Sequence, residues 1–122
     1  MSFHDLLNGL LSELNVPFYE GSPELPENSP ELFITYSVYD VPKLRGEGVE
    51  LVTTYSVTVN IYTTGRKKAD RANSFGRDLT ALFTENDFIR RSGSYGMTNS
   101  FPGYYRRIIE FFYDYDEEEN EI

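Results

Sequence analysis

Phe3, Leu6, Leu7, Leu10, Leu11 and Leu14 fall at i, i+3, i+4, i+7, i+8 and i+11, the spacing of a helix with a single apolar stripe. Ser2 stands where an N-cap belongs. Pro17 predicts the end of that helix, and Pro23, Pro26 and Pro30, with Gly21, Ser22, Asn28 and Ser29 among them, predict an extended loop over residues 20–30. From Leu32 to Tyr39 the β-branched and aromatic content predicts a strand, followed by a turn region from Val41 and Pro42 through Gly46 to Gly48. Alternation is clearest over residues 49–63. Val49, Leu51, Thr53, Tyr55, Val57, Val59 and Ile61 point one way, and Glu50, Thr54, Ser56, Thr58 and Asn60 the other. One buried and one polar face favours an antiparallel sheet.

After Gly65 a second helix is predicted, with Ala72, Phe75, Leu79, Leu82 and Phe83 inward. Asp87 to Arg91 suits a short strand, residues 92–103 a loop of small residues, and Tyr104 to Tyr115 a long final strand. The expected fold is α+β: a mainly antiparallel sheet of four to five strands with two helices packed on it, in the order α-β-β-α-β-β. A short extra strand is expected near Val16–Tyr19. Residues 1–115 form one domain in this reading, and 116–122 an acidic, disordered tail. The last strand adds a condition. Ile109, Phe111 and Tyr113 lie on one face, while Ile108 and Phe112 lie on the other. A strand apolar on both faces needs two covers. Either the helices straddle the sheet or a neighbouring subunit supplies the second one.

Composition narrows the chemistry. The 122 residues include no Cys and one His, His4, which removes disulfide scaffolds, thiol catalysis and Cys-ligated metal centres and leaves little for His-based sites. Nineteen Phe and Tyr side chains are too many for a disordered chain. The net charge of −9 argues against a nucleic-acid binder of the basic-patch type. Its distribution is uneven. Residues 1–42 carry seven acids and no Lys or Arg, residues 43–113 carry eleven bases and seven acids, and residues 114–122 carry six acids. The opening Met1-Ser2-Phe3-His4-Asp5 lacks the positive region of a secretory signal, and no apolar run approaches a membrane span, so a soluble intracellular protein is expected.

Candidate chemistry is sparse. His4, beside Asp5 and off the leucine stripe, is expected to face solvent. No phosphate loop of the GxxxxGK[ST] type occurs, and Gly93 and Gly96 do not open a helix. Asp114-Tyr115-Asp116-Glu117-Glu118 alternates like the start of a calcium loop but lacks its sixth-position glycine and a well-placed closing glutamate, so Asp114, Asp116, Glu117, Glu118, Glu119 and Glu121 are expected to form a solvated acidic tail. Two basic sets remain. Arg66, Lys67, Lys68 and Arg71 crowd the start of the second helix, where cations oppose the helix dipole. Arg90, Arg91, Arg106 and Arg107 flank the final hairpin with Tyr95, Phe101, Tyr104 and Tyr105 interleaved, a mixture enriched at protein interfaces and able to stack on single-stranded bases. On an acidic chain the interface is the favoured use.

The overall layout resembles a family. A leucine-rich helix leads into Val16-Pro17-Phe18-Tyr19, a proline-rich loop into Phe33-Ile34-Thr35-Tyr36, and a long alternating strand ends Val59-Asn60-Ile61-Tyr62-Thr63. A helix follows Gly65, and Ile108-Ile109-Glu110-Phe111-Phe112-Tyr113 closes the chain's folded part. This order and texture resemble the tail-terminator, or tail-completion, proteins of long-tailed bacteriophages and prophages. The resemblance implies a structural, non-enzymatic subunit without catalytic, cofactor or metal residues. It would assemble as a ring, typically a hexamer and in some cases only on its partner. The ring would cap the tail-tube protein and present a surface to the head-completion or connector protein, in the host cytoplasm and then at the head–tail junction of the virion. DNA would pass through without specific binding, past an acidic or neutral lumen. On this reading the two basic sets face a neighbour, and Lys43, Leu44 and Arg45, with the 92–103 loop, dock on tube or connector. The acidic end has no place in the family layout. Two other classes stand beside it: an acidic DNA mimic that blocks a DNA-binding protein, and a small enzyme using Glu110 and Asp114, four residues apart on one strand face.

Overall fold

A computed structural model describes residues 2–21, 30–45, 49–97 and 101–116, with the backbone alone described at 41–45, 49–52, 94–97 and 116. The elements run α1 (Phe3–Glu13), β1 (Phe18–Glu20), β2 (Leu32–Arg45), β3 (Val49–Thr63), α2 (Lys68–Glu85), β4 (Ile89–Met97) and β5 (Tyr105–Asp116). The five strands form one sheet in the order β1-β2-β3-β5-β4. Only β1 and β2 are parallel; the other neighbours are antiparallel. The fold is α+β, as the periodicities predict, and the short strand expected near Val16–Tyr19 is β1. Among the described residues no helix is long and apolar enough to cross a membrane.

Local chemistry sets the ends of both helices. Ser2 Oγ accepts the Asp5 N–H at 3.1 Å while the Asp5 carboxylate accepts the Ser2 N–H at 3.3 Å, a reciprocal capping box. At the other end Asn15 adopts a left-handed φ of 56°, so α1 stops before Pro17 is reached. α2 lacks a side-chain cap at Lys67. Instead the buried Thr63 hydroxyl donates to the Lys68 carbonyl at 2.6 Å, tying the end of β3 to the first turn. Its C-terminus is a Schellman motif: Phe88 N–H donates to Phe83 O at 3.0 Å and Asp87 N–H to Thr84 O at 3.2 Å, with Asp87 left-handed at φ 71°. The accompanying apolar contact is Phe83 against Phe88, with ring centroids 4.8 Å apart. That motif drives Phe88 into the core and launches β4.

Both helices cover the same face of the sheet. Phe3, Leu7, Leu10 and Leu11 from α1 and Leu79 and Phe83 from α2 pack with Ile34, Tyr36, Val57, Val59, Ile61, Ile109 and Phe111. Phe3 stacks on Tyr55 at 4.0 Å. Gly76 lets α2 sit close, because a Cβ there would lie 3.3 Å from Ile109 Cδ1. The straddling arrangement is therefore not adopted. On the opposite face a smaller cluster of Phe33, Tyr62, Phe101 and Tyr104 closes one end of the sheet.

Two loops expected from the sequence are strands. Residues 41–45 continue β2, pairing with β3 from Val41 opposite Thr54 to Arg45 opposite Val49, with an irregularity at Lys43/Leu44. β1 pairs only with residues 34–36, so beyond them β2 is an edge strand, where a proline such as Pro42 is tolerated. Residues 92–97 likewise extend β4, from Ser92 opposite Glu110 to Met97 opposite Tyr105. Pairing with β5 outweighs the weak strand preference of Ser-Gly-Ser-Tyr-Gly. Residues 46–48, 98–100 and 117–122, and with the last of these the tail acids Glu117, Glu118, Glu119 and Glu121, lie outside the described residues.

Candidate functional site

Alternation along β4 and β5 divides the second arginine set between the two faces of the sheet. Arg107 stands opposite Ile61 and Arg90 opposite Phe111, both on the helix-covered side. Ile109 and Phe111 fill the core there, whereas the arginines come out beside α2. Together with Asn73, Gly76, Arg77, Thr80 and Ala81 they line a groove of about 550 Å³ between α2 and β4. Among the described residues its lining carries no acidic side chain. Arg77 and Arg90 have no ion-pair partner among the described residues.

Gly93 brings two of these cations together. A Cβ at that position would lie 2.8 Å from Arg90 Nη2 and 3.0 Å from Arg107 Nη1. The bare backbone of β4 is thus what both guanidiniums lie against. Guanidinium forks suit carboxylate or phosphate oxygens in two-point contacts.

The other two arginines lie on the uncovered face. The Arg91 guanidinium stacks over Phe112, 4.7 Å from the ring centre, from the irregularity between Arg90 and Ser92. Arg106 stands opposite Tyr62. This face is built in rows across the strands. Tyr39, Ser56, Phe112 and Ile89 share one row, and Ser37, Thr58, Glu110 and Ser92 the next. Tyr39 and Ile89, at the two ends of their row, are 67% and 65% exposed. Glu110 accepts hydroxyl hydrogen bonds from Ser56 at 3.3 Å and Ser92 at 3.4 Å, and Asp114 accepts one from Thr54 at 2.6 Å. Four residues of strand separate these carboxylates by roughly 13 Å, beyond the spacing of a cooperating acid pair.

The remaining candidates are placed as follows. Arg66 and Lys67 are exposed and Lys68 is half-buried at the start of α2, where Asp70 offsets their charge against the dipole. Arg71 is engaged within the chain, its guanidinium 3.3 Å from Glu31. Lys43, Leu44 and Arg45 belong to β2, where the sequence pattern predicts a loop. Tyr95 stands at the register position opposite Arg107. Phe101 is buried against Phe33 and Tyr62, so it serves the chain's own core and not an interface. His4 is exposed, with Nε2 3.9 Å from Glu20. Asp116 ends β5.

Two tyrosines have perturbed acidity. Burial, with Glu20 nearby, raises the Tyr36 pKa, and burial, with Glu31 nearby, raises that of Tyr104. Both phenols donate hydrogen bonds, Tyr36 to Asn8 Oδ1 at 3.0 Å and Tyr104 to the Pro30 carbonyl at 2.7 Å. Neither lines the groove.

Comparison with protein-family models finds no match, and comparison with curated proteins finds no significant similarity. The site is therefore defined by its own geometry. The residue missed in the sequence is Arg77. Asn73, Arg77, Thr80 and Ala81 recur at helical spacing on the flank of the stripe formed by Ala72, Phe75, Leu79 and Phe83, which is the signal that could have found it.

Proposed function

We propose that this chain is a structural assembly subunit of the phage tail-terminator type, associating with copies of itself into a ring that caps a tail tube and joins it to the head. The observation that carries the reading is the one-sided cover of the sheet. Both helices lie on one face, and the other presents Tyr39, Phe112 and Ile89 in one row, with Ser56 between the first two. A row apolar at both edges and open to solvent suits burial against a neighbour. Among the described residues β2 has no strand partner on its outer side beyond residue 36, which leaves its edge there open to a neighbour. Acidic ends around a basic middle favour head-to-tail contacts between different surfaces, the kind that close into rings.

The test is reconstitution. In a lysate that assembles tubes without the chain, added purified chain should yield ring-capped tubes of uniform length that accept heads, seen by negative-stain electron microscopy. Tubes that reach uniform length and join heads in its absence would rule the role out. Lys67→Glu with Lys68→Glu should weaken assembly most at low salt; Arg71 is left out because Glu31 already engages it.

A further inference from the structure

The α2–β4 groove is a cationic depression on a chain of net charge −9. We infer that it receives the acidic segment 116–121 of a second copy of this chain, glutamate carboxylates seating between Arg77 and Arg90 beside Arg107. The inference rests on the reading that copies associate, and it names the partner of one of their surfaces.

Three observations lead there. The first is size: about 550 Å³ holds several side chains, more than a single small ion needs. The second is complementarity. Asp116, Glu117, Glu118, Glu119 and Glu121 put five carboxylates into six residues, and the groove offers guanidiniums with the Asn73 amide and Thr80 hydroxyl beside them. The third is reach. Asp116 ends β5, nine residues along that strand from Arg107, or roughly 30 Å. Glu121 lies five residues beyond Asp116 and so reaches at most about 17 Å from it. A chain's own tail therefore brings at most its last acid, Glu121, level with Arg90, which stands opposite Phe111 five residues from Asp116, and leaves the other four acids short of the groove. Those of another copy are free of that tether. Because groove and acidic segment are different surfaces, each copy can give one and receive one, which propagates head to tail.

The experiment uses the full chain and a fluorescein-labelled peptide of residues 114–122, followed by anisotropy. Saturable binding is expected, weakened about tenfold by Arg77→Gln and about as much again by Arg90→Gln, since each removes a charge-assisted contact. A peptide with Gln at every Asp and Glu should not bind, and raising NaCl from 50 to 500 mM should weaken binding severalfold. Thermal melts of the two variants within a few degrees of wild type establish that they fold. Absence of peptide binding at 50 mM NaCl overturns the inference, as does binding that both arginine variants leave unchanged. Displacement of the peptide by millimolar inorganic phosphate overturns it too, by assigning the groove to a small anion. The two ideas fail separately: capped tubes that persist with excess peptide and with Glu117, Glu118, Glu119 and Glu121 all changed to Gln would leave the ring standing and remove its groove contact.

Discussion

The two faces of the sheet use the same kinds of residue to opposite ends. On the helix side Phe3, Tyr55, Phe83, Phe88, Phe111 and Tyr113 form a continuous aromatic layer, with contacts such as Phe83 on Phe111 at 4.7 Å and Phe88 on Tyr113 at 4.6 Å. On the other side Phe33 and Tyr62 are buried only where Phe101 and Tyr104 fold over them, and Phe112 is left under one arginine. Burial follows from what lies above each row, not from residue type. The comparison separates aromatic residues that hold the chain together from those free to meet another molecule.

The largest expected effect tests the covered face. Phe83 is fully buried, so Phe83→Ala should cost about 3–5 kcal/mol, read as a fall in the urea midpoint at unchanged slope. A loss below about 1 kcal/mol would mean that α2 does not anchor this face. Phe101→Ala should cost less, about 2–3 kcal/mol, because its cluster is small and Phe101 keeps slight exposure. If it were neutral, Phe101 would return to the set of interface candidates. Next comes the cap: Ser2→Ala removes one half of the capping box and should cost about 1 kcal/mol, with loss of helical signal confined to α1.

How much of this was legible follows the length of each periodic run. α1 and β3 show one period over more than ten residues, and their limits emerge within a residue or two of the pattern. The far half of β2 was hidden by Pro42, which signals a break unless the strand is known to be an edge; that depends on β1 being three residues long. β4 was hidden by its small residues, whose strand conformation is imposed by β5. The two-faced final strand was visible, but whether the helices straddled the sheet was a matter of chain path. So was the groove. Arg77, Arg90 and Arg107 are 13 and 17 positions apart and meet only because α2 crosses over the sheet and β5 inserts between β3 and β4.

On the open face stability should barely respond. Ile89→Ser should change unfolding free energy by no more than about 0.5 kcal/mol, because the side chain is mostly in water in the isolated chain. Its effect should appear in assembly, as fewer ring-capped tubes at equal protein concentration. A destabilisation comparable to that of Phe101→Ala, with assembly intact, would show that the row serves the fold and would erase the contrast between the faces.

The smallest expected effect asks whether the covered end of the open face is as closed as the helix side. Tyr36 belongs to one and Tyr104 to the other, and both have pKa values raised above 10, by burial first and by Glu20 or Glu31 second. In the unfolded chain each phenol loses its proton near pH 10. Between that pH and the higher folded value the unfolded state binds fewer protons than the folded state, so stability falls as pH rises. Below pH 10 both states keep the proton and the contribution is complete. The hydrogen bonds sharpen the expectation, since a tyrosinate cannot donate to the Pro30 carbonyl or to Asn8 Oδ1. Thermal midpoints measured from pH 9 to 11 should therefore be flat at first and then decline. Tyr36→Phe and Tyr104→Phe should each lower the midpoint slightly at pH 9 and make the alkaline decline shallower. If only Tyr36→Phe flattened the slope, Tyr104 would be reached by water in solution, and the Phe101 end of the open face would be a loosely seated lid.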